Sequence, residues 1–227
     1  MQVRKEIDEV VGDRDPTYQD IMEMKYLRLI IAETLRMYPE PPLLIRRCRE
    51  EDTLPTGANG NTEGAVVMRG MDMFLSVYNL HRSEIFWENP NKFDPMRFTK
   101  RFENPDVPGW NGFDPSRWEK RLYPSEGAAD YAFLPFGGGS RKCVGDEFAY
   151  LEACCTLAMV LRRFDFEFAG SEKPDEVGGT YGEHPQSLHH PVGMRTGATI
   201  HTRYGLKMNV YKRKLQDESS EVADASS

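Results

Sequence analysis

The segment from Phe136 to Gly145 reads FGGGSRKCVG, and its residue types are those of a loop that could present a thiolate. Three consecutive glycines, Gly137 to Gly139, let backbone approach a flat partner where side chains would clash. Cys143 stands two residues before Gly145, and an apolar helical pattern follows directly. A cysteine just ahead of a helix N-terminus faces free N–H groups and the positive end of the helix dipole, which favours thiolate over thiol. Arg141, two residues upstream, can reach an anionic group nearby. A partly desolvated thiolate held by backbone donors suits the proximal side of a haem iron. The same segment also suits a glycine-rich turn that caps a helix and carries an incidental cysteine.

Two strong helical patterns must position this loop. From Tyr18 to Tyr38, Ile21, Met24, Leu27, Ile30, Ile31 and Leu35 recur mostly at three- and four-residue steps, predicting one helix. Pro39, Pro41 and Pro42 end it and force an extended run through Leu43, Leu44 and Ile45. The second helix runs from Gly145 to about Phe164. A shorter amphipathic helix opens the chain, with Val3, Ile7, Val10 and Val11 on one face. Ala65 to Tyr78 reads as one or two strands, with Phe74, Leu75, Val77 and Tyr78 the most strand-like. Phe164, Phe166 and Phe168 alternate with Asp165 and Glu167, the sign of a strand with one buried face. Ile200–Thr202 and Leu206–Tyr211 are expected to form a closing hairpin across Tyr204-Gly205. Residues 57–64 read as a turn, and residues 214–227 as a disordered tail. Between Thr99 and Tyr131, prolines and glycines predict a long irregular stretch, a kind that is often functional. The fold class expected is mainly α with small antiparallel β-sheets.

Composition narrows the partners. Lys and Arg number 29 against 36 Asp and Glu, a formal charge of -7, which argues against nucleic acid. Cys48, Cys143, Cys154 and Cys155 lack the paired spacings of a zinc site, and four in 227 residues do not make a disulfide scaffold. Cys154 and Cys155 fall in the apolar helical pattern and read as core filler. His184, His189 and His190 read as solvated loop residues, and His81 and His201 as structural hydrogen bonders. The charged first residues do not read as a secretory leader.

Taken together, Phe136, Gly139, Arg141, Cys143 and Gly145 match, position for position, the haem-loop signature of the cytochrome P-450 family, with Pro135 before it and Phe148-Ala149 after it also similar. Glu33 and Arg36, three apart on the first strong helix, share a face; alone they would be a surface salt bridge of little consequence. Downstream, KFDPMRF places Arg97 in a pattern similar to the family's meander motif. The resemblance implies that Glu33, Arg36 and Arg97 form a buried network fixing the proximal side. It implies haem b as cofactor, molecular oxygen as co-substrate and Cys143 as the iron's ligand. Phe136, Arg141 and Gly145 would sit at the cofactor, and Arg46 at a haem propionate, with Arg47 an equal candidate by chemistry.

Within the family, PPLLIRR, SVYNLHRS, RKCVGDEFA and TGATIHT resemble the plant and algal carotenoid ring hydroxylases. That likeness implies a haem-thiolate monooxygenase, an apolar substrate, and an electron donor that is an NADPH reductase or a ferredoxin. It implies a plastid location, the endoplasmic reticulum being the alternative outside that subfamily. Leu43, Leu44, Ile45 and Ala198 match segments that line the substrate pocket. Residues 1–213 are expected to be the C-terminal part of the family's domain, without its distal helix and so inactive alone. A haem-thiolate isomerase or lyase, or an inactive fragment, is the competing expectation.

Overall fold

The computed structural model describes residues 2–54, 64–107, 109–169, 194–196, 199–202 and 206–213. Helix α1 (Gln2–Val10) buries Ile7, and Val11 follows it into the core. Helix α2 (Tyr18–Glu23) starts with a capping box: the Thr17 hydroxyl accepts from the Asp20 amide while the Asp20 carboxylate accepts from the Thr17 amide. Arg14 also donates to Asp20. This bond, together with those from Thr17, holds the Asp20 carboxyl well below the usual carboxylate range.

The single helix expected from Tyr18 to Tyr38 is two. It breaks at Met24 (φ −72°, ψ 75°), and helix α3 (Lys25–Met37) begins anew. The cause lies in α1, where the Glu6 carboxylate accepts the amides of Tyr26 and Leu27 at 2.7 and 2.8 Å. Those amides are orphans of a fresh helix start, and an acid supplied by another helix satisfies them. Apolar periodicity continues through the break, so the pattern alone conceals it.

Strand β1 (Leu43–Arg47) leads away from α3, and β2 (Asp52–Leu54) pairs antiparallel with β3 (Ala65–Val67). Strand β4 (Asp72–Ser76) returns to pair with β1, Leu44 opposite Leu75. Val77 and Tyr78, expected as strand, instead open helix α4 (Val77–Leu80). The Ser76 hydroxyl accepts the Asn79 amide as an N-cap, and Val77 turns into the core. The expected turn at residues 57–64 lies outside the described residues except for Gly64.

The stretch from Thr99 to Tyr131 is irregular, as its prolines and glycines predict, yet well packed. Phe102 and Phe113 exchange backbone hydrogen bonds at 3.1 and 2.7 Å. Gly112 makes this possible: its φ is +78°, and a Cβ there would meet the Phe102 carbonyl at 2.3 Å. Trp118 is buried and its indole N–H donates to the Phe98 carbonyl.

Helix α5 (Asp146–Arg163) packs on α1, α2 and α3, and runs into β5 (Phe164–Phe168). Phe166 and Phe168 are half-buried and Phe164 is exposed, so the expected buried face of β5 is only partly covered. Among the described residues, the two strands of the expected closing hairpin pair with other partners. Strand β6 (Met194–Thr196) pairs with β7 (Ile200–Thr202), while β8 (Met208–Lys212) pairs with β5. A remote partner wins β8: Phe166 lies opposite Val210, and Arg213 just beyond is anchored to Asp8 of α1 by two hydrogen bonds.

Helix α3 is the centre of the molecule. One side meets α1 and α5 in a core that includes Leu27, Ile31, Tyr150 and Cys154. The other side, through Leu29 and Ala32, meets Trp87, Phe98, Phe113 and Phe133. A helix clad on both sides is a rigid platform. Among the described residues helix exceeds strand, and the strands form four two-stranded antiparallel sheets.

Candidate functional site

The platform presents three charged side chains that meet. Glu33 and Arg36 are fully buried on α3, and Arg97, in the short 3-10 turn after Asp94, is nearly so. Arg36 donates to the Glu33 carboxylate from Nε and from a terminal nitrogen, at 2.8 and 2.9 Å. Arg97 Nε adds contacts at 3.0 and 3.1 Å, and the Asp94 amide a bond at 2.9 Å. Two cations on one anion leave surplus positive charge, and carbonyl oxygens absorb it. Arg36 donates to the His81 carbonyl, and Arg97 to those of Glu88, Asn89 and Lys92. Desolvation lowers the Arg36 pKa, and its bonds to Glu33 oppose that effect. The network therefore ties α3 to the chain between His81 and Arg97.

His81 carries the connection further. Its side chain is fully buried, and its ring lies 5.1 Å from that of Phe133. Nδ1 lies 3.2 Å from the Arg36 carbonyl, and Nε2 accepts the Leu134 amide at 2.7 Å. A ring that accepts at Nε2 must donate from Nδ1, so the two contacts define a neutral tautomer. Burial, with Arg36 close by, lowers the His81 pKa to about 3, against about 6.5 when unfolded. Between those values the unfolded chain binds a proton that the folded one excludes. This contribution to stability is full above about pH 6.5 and is lost as pH falls toward 3. The urea midpoint should accordingly drop over this window more steeply in the native protein than in His81→Gln. Equal slopes would contradict the assignment.

Beyond Leu134 the chain enters the glycine loop. The Leu134 carbonyl accepts the Gly137 amide at 3.1 Å, and the Cys143 amide donates to the Phe136 carbonyl at 2.9 Å, closing the loop. Gly137 and Gly139 have φ of +74° and +68°, conformations that other residues adopt only with strain. Cys143 is exposed at the mouth of α5, whose N-terminus has no side-chain cap. The other cysteines differ. Cys48 and Cys154 are buried, Cys155 is half-buried, and burial pushes the Cys154 thiol up to about 12.

A cluster unforeseen in the sequence braces the loop from below. Lys142 pairs with Glu126 at 3.0 Å and with Asp146 at 2.8 Å. The Tyr123 hydroxyl donates to Asp146, and its ring stacks on Tyr150. Burial alone would raise the Asp146 carboxyl, but bonds from Lys142 and Tyr123 outweigh it and hold it below its ordinary range. Only the four-residue spacing of Lys142 and Asp146 hints at this cluster; Tyr123 and Glu126 reach it through tertiary packing.

The remaining expected site residues are divided. Leu44 lies beside the loop: a Cβ on Gly137 would stand 3.8 Å from its methyl group. Leu43 and Ile45 point to the opposite face of β1 and are exposed. Arg47 is held in a bidentate pair with Asp72, whereas among the described residues Arg46 donates only to the neighbouring Ile45 carbonyl. That difference leaves Arg46 the freer cation. Arg141 is exposed and has no acidic partner among the described residues. Ala198, His184, His189, His190 and the 214–227 tail lie outside the described residues.

These features fit a flat, apolar, thiolate-bound cofactor. A Cβ at Gly139 or Gly145 would meet nothing within 4 Å, so both glycines border open space. Val144, next to Cys143, and Phe148, on the first turn of α5, are apolar yet strongly exposed, Phe148 at 72%. Exposed apolar side chains clustered beside an exposed thiol mark a surface that a ligand or partner covers.

Comparison with known proteins agrees. A cytochrome P-450 family model matches residues 1–189. The chloroplastic cytochrome P-450 97B2 of Glycine max is 47% identical over 208 residues, 92% of this chain and 33% of that protein. The chloroplastic cytochrome P-450 97B1 of Pisum sativum is 52% identical over 157 residues, 69% of this chain and 28% of that protein. The chloroplastic carotene epsilon-monooxygenase of Arabidopsis thaliana is 39% identical over 210 residues, 92% of this chain and 31% of that protein. The chain thus spans about a third of the length of these curated relatives. A thiol loop built on α5, a buried carboxylate–diguanidinium network on α3, and a family match over most of the sequence lead to one conclusion: this chain belongs to the cytochrome P-450 family, which uses haem b and molecular oxygen.

Proposed function

We propose that this protein is a haem-thiolate monooxygenase of the plastid that hydroxylates a carotenoid ring, in which Cys143 would hold the haem iron. The observation that carries the reading is the Cys143 loop itself: an exposed thiol bordered by positive-φ glycines, with bare Val144 and Phe148 beside it. Phe136, Gly139 and Gly145 would flank the cofactor, while Arg46, and Arg141 beside it in chemistry, would meet the propionates. The N-terminus of α5, two residues after Cys143, has no side-chain cap, and a helix start favours negative charge nearby. Bound there, haem would supply an iron that activates oxygen, the thiolate's electron density favouring O–O cleavage. Electrons would come from an NADPH reductase or a ferredoxin. Residues 1–213 are read as the haem-binding part of the domain, and residues 214–227 as a tail.

The plastid and the carotenoid ring draw support from the relatives whose names carry "chloroplastic" and "carotene epsilon-monooxygenase". Leu43 and Ile45, exposed on one face of β1, would contribute apolar surface on the substrate side, which suits a large hydrocarbon with few polar handles, whereas Leu44 turns to the glycine loop. Hydroxylation assays on the natural full-length protein, supplied with haem and an electron donor, test the substrate. Turnover of carotenes is expected. Activity on fatty acids or sterols with none on carotenes would overturn it.

A further inference from the structure

Among the described residues, no hydrogen bond or ion pair joins two groups of the site directly: the Glu33–Arg36–Arg97 network and the Cys143 loop. His81 stands between them, and both of its ring nitrogens are engaged by backbone of different segments. Nδ1 faces the Arg36 carbonyl of α3, and Nε2 takes the Leu134 amide two residues before the loop begins. Arg36 grips the same residue again through the His81 carbonyl, at 2.6 Å. From Leu134 the bonds continue without a gap: Gly137 amide to Leu134 carbonyl, then Cys143 amide to Phe136 carbonyl.

We propose that His81 is a positioning residue for the Cys143 ligand, fixing the height and orientation of the glycine loop through the Leu134 amide. This rests on the haem-thiolate reading above. A residue serving only to fill the core would be apolar, because burying an imidazole requires partners for both nitrogens. Here the partners are backbone groups on two elements that must keep a fixed spacing, and the neutral ring is a rigid strut between them. The low pKa keeps that strut in one protonation state throughout the physiological range.

His81→Phe retains a ring against Phe133 but leaves the Leu134 amide and the Arg36 carbonyl unpartnered. In the full-length protein it should speed amide exchange at Leu134 and Gly137. It should shift the iron–sulfur stretching frequency and release haem about tenfold faster, the scale seen when an outer partner of a metal ligand is removed. His81→Gln, whose amide carries one donor and one acceptor on a planar group, should restore most of each property. If His81→Phe does not accumulate as folded protein, His81→Asn should show the same losses, since its shorter side chain cannot reach both partners. A folded His81→Phe or His81→Asn variant with native iron–sulfur stretch and native haem release would overturn the proposal, as would a folded His81→Gln that restores neither. Cys143→Ser separates the two readings. Were it to keep the native iron–sulfur signature, the ligand assignment would fall, while amide exchange at Leu134 would still report on His81.

Discussion

Glu33→Ala is expected to yield little folded, haem-loaded protein. The Glu33 carboxylate receives bonds from two guanidinium groups and the Asp94 amide while fully buried. A buried ion pair contributes little net stability over well-packed apolar residues, because desolvation offsets the Coulomb attraction. Removing one partner is different. Arg36, fully buried and 5.6 Å over the Trp87 ring, would keep its charge with no anion beside it. Loss of one member of such a group costs about 3–5 kcal/mol, a large share of the roughly 5–15 kcal/mol that a domain has. Glu33→Gln keeps shape and some hydrogen bonding, so it should be the milder of the two. Expression level and haem content measure both. Native yield and haem content in Glu33→Ala would mean that the cluster is merely superficial.

The geometry of the glycine loop and of the Glu33–Arg36 pair was legible in the sequence, and the reason is local. The glycines, Cys143 and the helix after Gly145 are contiguous, so the loop's conformation follows from residues that lie next to one another. Glu33 and Arg36 are one helical turn apart, and only Arg97 had to be supplied by the family pattern. What stayed hidden depends on distant partners. No periodicity reveals that Glu6 will cap α3, or that Arg213 will anchor β8 to α1 and away from β7. The strand expected at Val77 and Tyr78 failed because a single serine cap outweighed weak β propensity in a short run. His81 could be read as a structural hydrogen bonder, but a lone histidine in an apolar stretch gives no sign of which two backbone groups it will join.

The Lys142 cluster illustrates the same limit with a functional edge. Lys142 adjoins Cys143, yet its charge is turned toward Glu126 and Asp146 rather than left free. Asp146, at the head of α5, is thereby balanced by a cation. An unbalanced acid three residues after the thiol would oppose a thiolate at Cys143, the form that the proposed function requires.

The second large effect is at Cys143. Serine preserves the size of the side chain and the amide bond to Phe136, so the loop should keep its fold. An alcohol, however, does not replace a thiolate as an electron donor to iron. The core cysteines offer no substitute: Cys154 is fully buried and its thiol is pushed up to about 12 by that burial. The most direct measurement is the absorption spectrum of the reduced, carbon monoxide-bound full-length protein, native against Cys143→Ser. The native protein should show the long-wavelength band of thiolate ligation, and Cys143→Ser should lose it. A band that survives in Cys143→Ser would show that Cys143 is not the ligand.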